Sequence, residues 1–156
     1  YRQQVRGMML ILWNVYNFFV TYAGVDGWSH PGEATTSIGS HEKVDSIASL
    51  QNDKNSTNVL DEWIMSLLHS LIHDVTEALE NYDTVKVIDS LQRFITDFST
   101  WYIRRSRDRV GPTAKSEEDK QAFYETTYEV LVTITKLMAP ITPFISESMF
   151  RNRRTF

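Results

Sequence analysis

Cysteine is absent from the 156 residues. That excludes a disulfide framework and any thiolate metal site, and it fits a reducing compartment. No apolar run approaches the roughly 20 residues of a membrane span, so no membrane partner is expected. The first residues, Tyr1-Arg2-Gln3-Gln4-Val5, are not a signal peptide. They lead into a helix almost at once without an initiating Met, and a piece of a longer chain is expected. Also missing are a glycine-rich phosphate loop, an internal repeat and the alternating apolar pattern of strands. No nucleophile-base pair with sequence support is visible. Ser29-His30 and Ser40-His41 fall in a stretch rich in turn residues, a poor platform for catalysis. On its residues alone the chain reads as a binding module without catalytic residues.

What is present is helical periodicity over most of a length that suits one domain. Val5, Met8, Met9, Leu12, Trp13, Tyr16, Phe19 and Tyr22 mark a first helix from about Arg2 to Ala23. Gly24 to Asn58 breaks the pattern and holds four of the six glycines. It is expected to be a flexible insertion, dispensable for folding, because its polar content can bury little. Leu60, Ile64, Leu67, Leu68, Leu71 and Val75 mark a second helix, with Asn58 or Thr57 as cap and Asp61 and Glu62 at its positive end. His69, His73 and Glu77 share a polar face of that helix at metal-ligand spacing, but the bland reading is a solvated face. A third helix, capped by Asp83, is expected to continue to about Val110, where Gly111-Pro112 stops it. Ser116 and Asp119 have capping-box spacing before a fourth helix. Thr142-Pro143 restarts a short fifth. The expected architecture is an all-α antiparallel bundle of four long helices and a short C-terminal one, over residues 1–156, with 24–58 inserted.

Charge is unevenly spread. The net charge is −4, and Asn17 to Glu80 carries ten acidic residues against two lysines. Arg93 to Arg109 carries five arginines against two aspartates, in the run Trp101-Tyr102-Ile103-Arg104-Arg105-Ser106-Arg107-Asp108-Arg109. Cations suit the negative end of a helix, which is the bland account. Arginine beside exposed aromatics also holds phosphates and stacks on bases. On an unbroken helix of 100° per residue, Arg93, Arg104 and Arg107 fall on one outward stripe. Arg105 and Arg109 continue the row of Trp101 on or near the packing side. There they are placed to stack on aromatics or pair with acids of the second or fourth helix.

Phe98-Ser99-Thr100-Trp101-Tyr102-Ile103-Arg104-Arg105-Ser106-Arg107 resembles the signature helix of the anticodon-binding domain of isoleucyl-tRNA synthetases. Three further strings agree in order. Leu12-Trp13-Asn14-Val15-Tyr16-Asn17-Phe18-Phe19 resembles the first bundle helix of that family. Leu60-Asp61-Glu62-Trp63-Ile64-Met65-Ser66 resembles its LDRWILS segment. Ala139-Pro140-Ile141-Thr142-Pro143-Phe144-Ile145-Ser146-Glu147 resembles its APFTPFxxE turn. Glu62 and Leu68 stand where the family often has arginine. The resemblance implies a parent ligase that attaches isoleucine to its tRNA with ATP and magnesium, in the cytoplasm and as a monomer. The HIGH and KMSKS signatures of catalysis are not in these residues, so this part should be inactive alone and hold no cofactor. Its implied partners are isoleucine tRNA and the catalytic domain of the same chain. Trp101, Arg104, Arg105, Arg107, Arg109 and Arg93 are the implied RNA contacts.

Two other readings are kept. One is the equivalent domain of a related class I synthetase such as the valine enzyme, which tends to carry an acid after the aromatics. The other is a helical adaptor whose arginine end meets an acidic protein. Binding to tRNA that weakens with salt separates the adaptor from both synthetase readings.

Overall fold

The computed structural model describes residues 2–30, 58–111, 114 and 116–152. Helix α1 spans Arg2–Asp26, α2 Val59–Glu80, α3 Thr84–Asp97, α4 Glu117–Met138 and α5 Pro143–Asn152. No strand occurs among the described residues, so the all-α bundle is borne out.

The apolar stripes meet as their spacing requires. Met8, Leu12, Val15 and Phe19 of α1 join Ile64, Leu68, Leu71 and Val75 of α2 and Val87, Leu91 and Ile95 of α3 in one core. Phe123, Val130, Leu131, Ile134 and Met138 of α4 complete it. The expected caps at α2, α3 and α4 form. The Asn58 carboxamide oxygen accepts from the Leu60 N–H at 3.0 Å, and the Asp83 carboxylate from the Lys86 N–H at 3.0 Å. The Ser116 hydroxyl accepts from the Asp119 N–H at 3.3 Å. These side chains take up donors that a helix start leaves without partners. Tight turns make α2 and α3 antiparallel, with Tyr82 at positive φ in the turn between them.

Three expectations need correction. First, α1 does not stop at Ala23. It continues to Asp26, and Gly27 at φ +66° turns the chain so that Trp28 folds back. The Trp28 N–H donates to the Ala23 carbonyl at 2.9 Å, and its ring stacks on Tyr124 at 5.6 Å. Residues 24–30 and 58 therefore belong to the packed body, and residues 31–57 of the expected insertion lie outside the described residues.

Second, α1 is long and apolar enough to cross a membrane by length and composition alone, over Val5–Asp26. Six of its side chains are nevertheless buried in this core.

Third, the third helix is not one unbroken α-helix to Val110. After Asp97 it widens into a π-turn over Phe98–Ile103, in which the Arg104 N–H donates to the Ser99 carbonyl, five residues back. Arg104 and Arg105 close the helix, and a 3₁₀ turn covers Arg107–Arg109. A π-turn takes up an extra residue and shifts all later positions by about 100°. The stripe counted from Arg93 therefore does not extend to Arg104 and Arg107.

Candidate nucleic-acid interface

The segment Tyr102 to Arg109 leaves the core, turns on the surface and returns to it. Tyr102 and Ile103 are buried, Arg104, Arg105, Arg107 and Asp108 are exposed, and Arg109 and Val110 are buried again. Tyr102 is held from both sides by rings, stacking on Phe98 and on Phe123 at 5.7 Å each. Its hydroxyl donates to Asp61 Oδ1 at 2.7 Å. Burial first, and then the charge and hydrogen bond of Asp61, push this phenol well above its ordinary pKa.

Arg109 re-enters beneath the turn. Its Nη1 and Nη2 donate to the two oxygens of Asp61 at 2.7 Å each, a fork-to-fork pair. Its Nε donates to Asp119 Oδ2 at 2.9 Å, and Nη2 also to the Asp119 carbonyl at 3.1 Å. Burial alone would lower the guanidinium pKa, but the hydrogen bonds and charge of Asp61 and Asp119 outweigh it and leave it raised. The Asn58 side-chain amide donates to Asp119 Oδ1 at 3.2 Å, which ties the starts of α2 and α4 together. The capping box is thus half formed. Ser116 caps α4, while the Asp119 carboxylate is engaged by Arg109 and Asn58.

Behind this cluster lies a second one. Asp26 at the end of α1 accepts from the Gly111 N–H at 3.2 Å and from the Tyr124 hydroxyl. Burial first and then Asp26 raise the Tyr124 pKa. Gly111 has φ +78°, and a Cβ there would stand 3.3 Å from the Tyr22 ring, so the turn requires glycine. The end of α1, the start of α2 and the basic turn therefore share one end of the bundle, as the connectivity predicts. Antiparallel helices joined by tight turns would put Tyr1 at the opposite end, and that residue lies outside the described residues.

The six arginine and tryptophan positions do not form one surface. Trp101 is half exposed, and the Arg105 guanidinium lies over its ring at 4.7 Å. Arg105 was expected near the packing side; the π-turn instead carries this pair outward. Arg107 is exposed with its guanidinium 5.8 Å from the Phe18 ring of α1, and Arg104, next to Arg105 in sequence, is exposed as well. None of these three arginines has a carboxylate partner among the described residues. Arg93 stands lower on α3, with Asp89 and Asp97 on the same shallow groove. Arg109 is on the packing side as expected, but it is only 8% exposed and its donors are engaged within the fold. Its expected direct contact with RNA is corrected on that ground.

Asp61 is the residue the sequence reading undervalued. It was assigned to the helix dipole, yet it is 1% exposed. A signal was present, because Asp61, Ile64, Leu68, Leu71, Val75 and Ala78 recur at the spacing of one buried row. A carboxylate on such a row needs a cation and donors inside the fold. Of the departures noted above, Leu68 is buried in the core and Glu62 is exposed. The helix-two histidines are not gathered for a metal. The His69 ring nitrogen lies 2.8 Å from the Met65 carbonyl, and Glu77 pairs with Lys86 at 3.1 Å. Among the described residues no group of three such side chains could hold a metal ion.

Comparison with known proteins bears on this end of the bundle. Residues 61–155 match the family described as the anticodon-binding domain of tRNA ligase. The isoleucine–tRNA ligase of Treponema denticola is 38% identical over 154 residues, covering 99% of this chain. That of Protochlamydia amoebophila is 36% identical over 97% of the chain, and that of Thermobifida fusca 42% over 96%. In each case the chain spans 13% of the length of the relative.

Proposed function

Since this chain belongs to the family of anticodon-binding domains of tRNA ligases, we propose that it is the part of an isoleucine–tRNA ligase that grips the anticodon region of isoleucine tRNA. The observation that carries the reading is the basic turn, with Arg104, Arg105 and Arg107 exposed, without carboxylate partners among the described residues and near the half-exposed Trp101. Single-stranded loops are read by splaying bases onto aromatic or guanidinium planes, while arginines hold the phosphates. Trp101 with Arg105 over it offers such a plane, and Arg104 and Arg107 offer the phosphate contacts. The acidic remainder of the chain favours one docking place over general coating of RNA. The parent ligase, with ATP and magnesium, carries out the attachment of isoleucine in its catalytic domain. It works as a monomer, and the lack of cysteine suits the reducing cytoplasm.

The test is binding of transcribed isoleucine tRNA to the chain across a salt series. Trp101→Ala should weaken binding by about 1–3 kcal/mol, the contribution of one stacked base. Arg104→Ala and Arg107→Ala should each weaken it and lower the salt slope by about 0.7–0.9 unit. Their melting temperatures should stay close to that of the parent sequence, because all three side chains are exposed. Unchanged affinity in all three variants would remove the basic turn from the RNA interface.

A further inference from the structure

The basic turn is held by few backbone bonds: the Arg104 N–H donates to the Ser99 carbonyl and the Ser106 N–H to the Tyr102 carbonyl at 3.0 Å. A 3₁₀ turn of three residues has poor hydrogen-bond geometry. Here it rests on the Arg109 N–H to Ser106 carbonyl bond at 3.0 Å and the Val110 N–H to Arg107 carbonyl bond at 3.4 Å. Ser106, the residue before this 3₁₀ turn, is buried, and its hydroxyl has no hydrogen-bond partner among the described residues. Side-chain contacts from outside the turn add to these bonds.

One carboxylate does so at both ends. Asp61 Oδ1 accepts from the Tyr102 hydroxyl and from Arg109 Nη1, each at 2.7 Å. Tyr102 and Arg109 are the last buried polar side chains before and after Arg104, Arg105 and Arg107. Asp61 sits on the first turn of α2, an element separate in sequence from the segment that carries those three arginines. The exposed arginines thus lie on a short segment whose two flanking side chains both meet Asp61, with Asp119 as a second partner of Arg109.

We propose that Asp61, acting through Arg109 and Tyr102, is the positioning residue of the RNA interface: it touches no RNA and sets where Arg104, Arg105 and Arg107 stand. This rests on the reading of the basic turn as the RNA contact. It also makes a prediction opposite in sign to simple electrostatics. A carboxylate near a phosphate-binding surface opposes a polyanion, so its neutralisation should strengthen binding if charge were its only effect. A positioning carboxylate gives the reverse.

Binding of transcribed isoleucine tRNA to the chain tests this with four variants, below the melting temperature of each and with the folded fraction checked by circular dichroism. Asp61→Asn keeps the shape and removes the charge that draws in the arginine fork. Arg109→Lys keeps the charge and removes the fork. Both should weaken tRNA binding about tenfold, within the range for coupling between distinct sites. Val87→Ala, in the core at the other end of α3, should lower the melting temperature and bind tRNA like the parent sequence. Trp101→Ala reports on the interface itself. Asp61→Asn binding as tightly as the parent sequence, or more tightly, while Trp101→Ala weakens binding would overturn the positioning role and leave the interface standing. Weakening by Val87→Ala equal to that of Asp61→Asn would reduce Asp61 to a contributor to general stability. An unmodified chain that fails to bind tRNA would overturn the interface and this inference together.

Discussion

Asp61→Ala is expected to destabilise the fold by about 3–5 kcal/mol, the usual result of removing one partner of a buried ion pair. The guanidinium of Arg109 would keep Asp119, whose side chain is 38% exposed, and lose both oxygens of the fully buried partner. The Tyr102 hydroxyl would lose its acceptor in the same step. Small domains are stable by only about 5–15 kcal/mol, so the change removes a large share of the total. Urea unfolding followed by far-ultraviolet circular dichroism measures it. The double variant Asp61→Ala/Arg109→Met should cost less than the two single changes together, because the stranded charge leaves with its partner. A loss under about 1 kcal/mol for Asp61→Ala would show that Asp119 satisfies Arg109 alone.

Trp28→Ala is expected to have a comparable effect, about 3–5 kcal/mol, typical of deleting a buried aromatic. Trp28 falls within the stretch that composition marks as an insertion, yet it is in the core. Its ring meets Tyr124, Phe19 and Tyr128 at centroid distances of 5.6, 5.6 and 5.7 Å. Thermal unfolding of the variant against the parent sequence reads the effect directly. A shift of less than about 2 °C in Tm would mean that the ring only covers the bundle.

These two residues mark where sequence reasoning stopped. The helices were legible because Leu12, Ile64, Leu91 and Ile134 each sit on a run of apolar residues with the helical period, and Asn58, Asp83 and Ser116 are capping residues at the right places. Trp28 was hidden because Gly24 and Gly27 look like turn residues. Gly24 is in fact helical, and Gly27 supplies the positive φ that sends the tryptophan back inward. The π-turn had no signature, since Phe98, Tyr102 and Ile103 continue the apolar pattern whichever way the turn is wound. Its effect is to move Trp101 and Arg105 from the packing side to the surface, which a helical count on an unbroken helix does not anticipate. The Asp61–Arg109 pair joins positions 48 residues apart. Local periodicity can show that Asp61 needs a partner, but not which of five arginines returns to it.

The ties made by Asp26 bear on the order of assembly. They join α1 to Gly111 and Tyr124 across 85 and 98 residues of chain, whereas α2 and α3 meet through a turn only a few residues long. Contacts between distant parts of the chain close large loops and tend to follow local ones. The α2–α3 hairpin is therefore expected to form early, with Asp26 docking after the main barrier has been crossed. A change confined to that docking, such as Asp26→Asn, would shorten the lifetime of the folded chain and leave its rate of formation almost unaltered. Stopped-flow folding and unfolding of that variant would show the asymmetry as a shift of the unfolding arm alone. The end of the bundle that carries the basic turn would then be the last part to assemble.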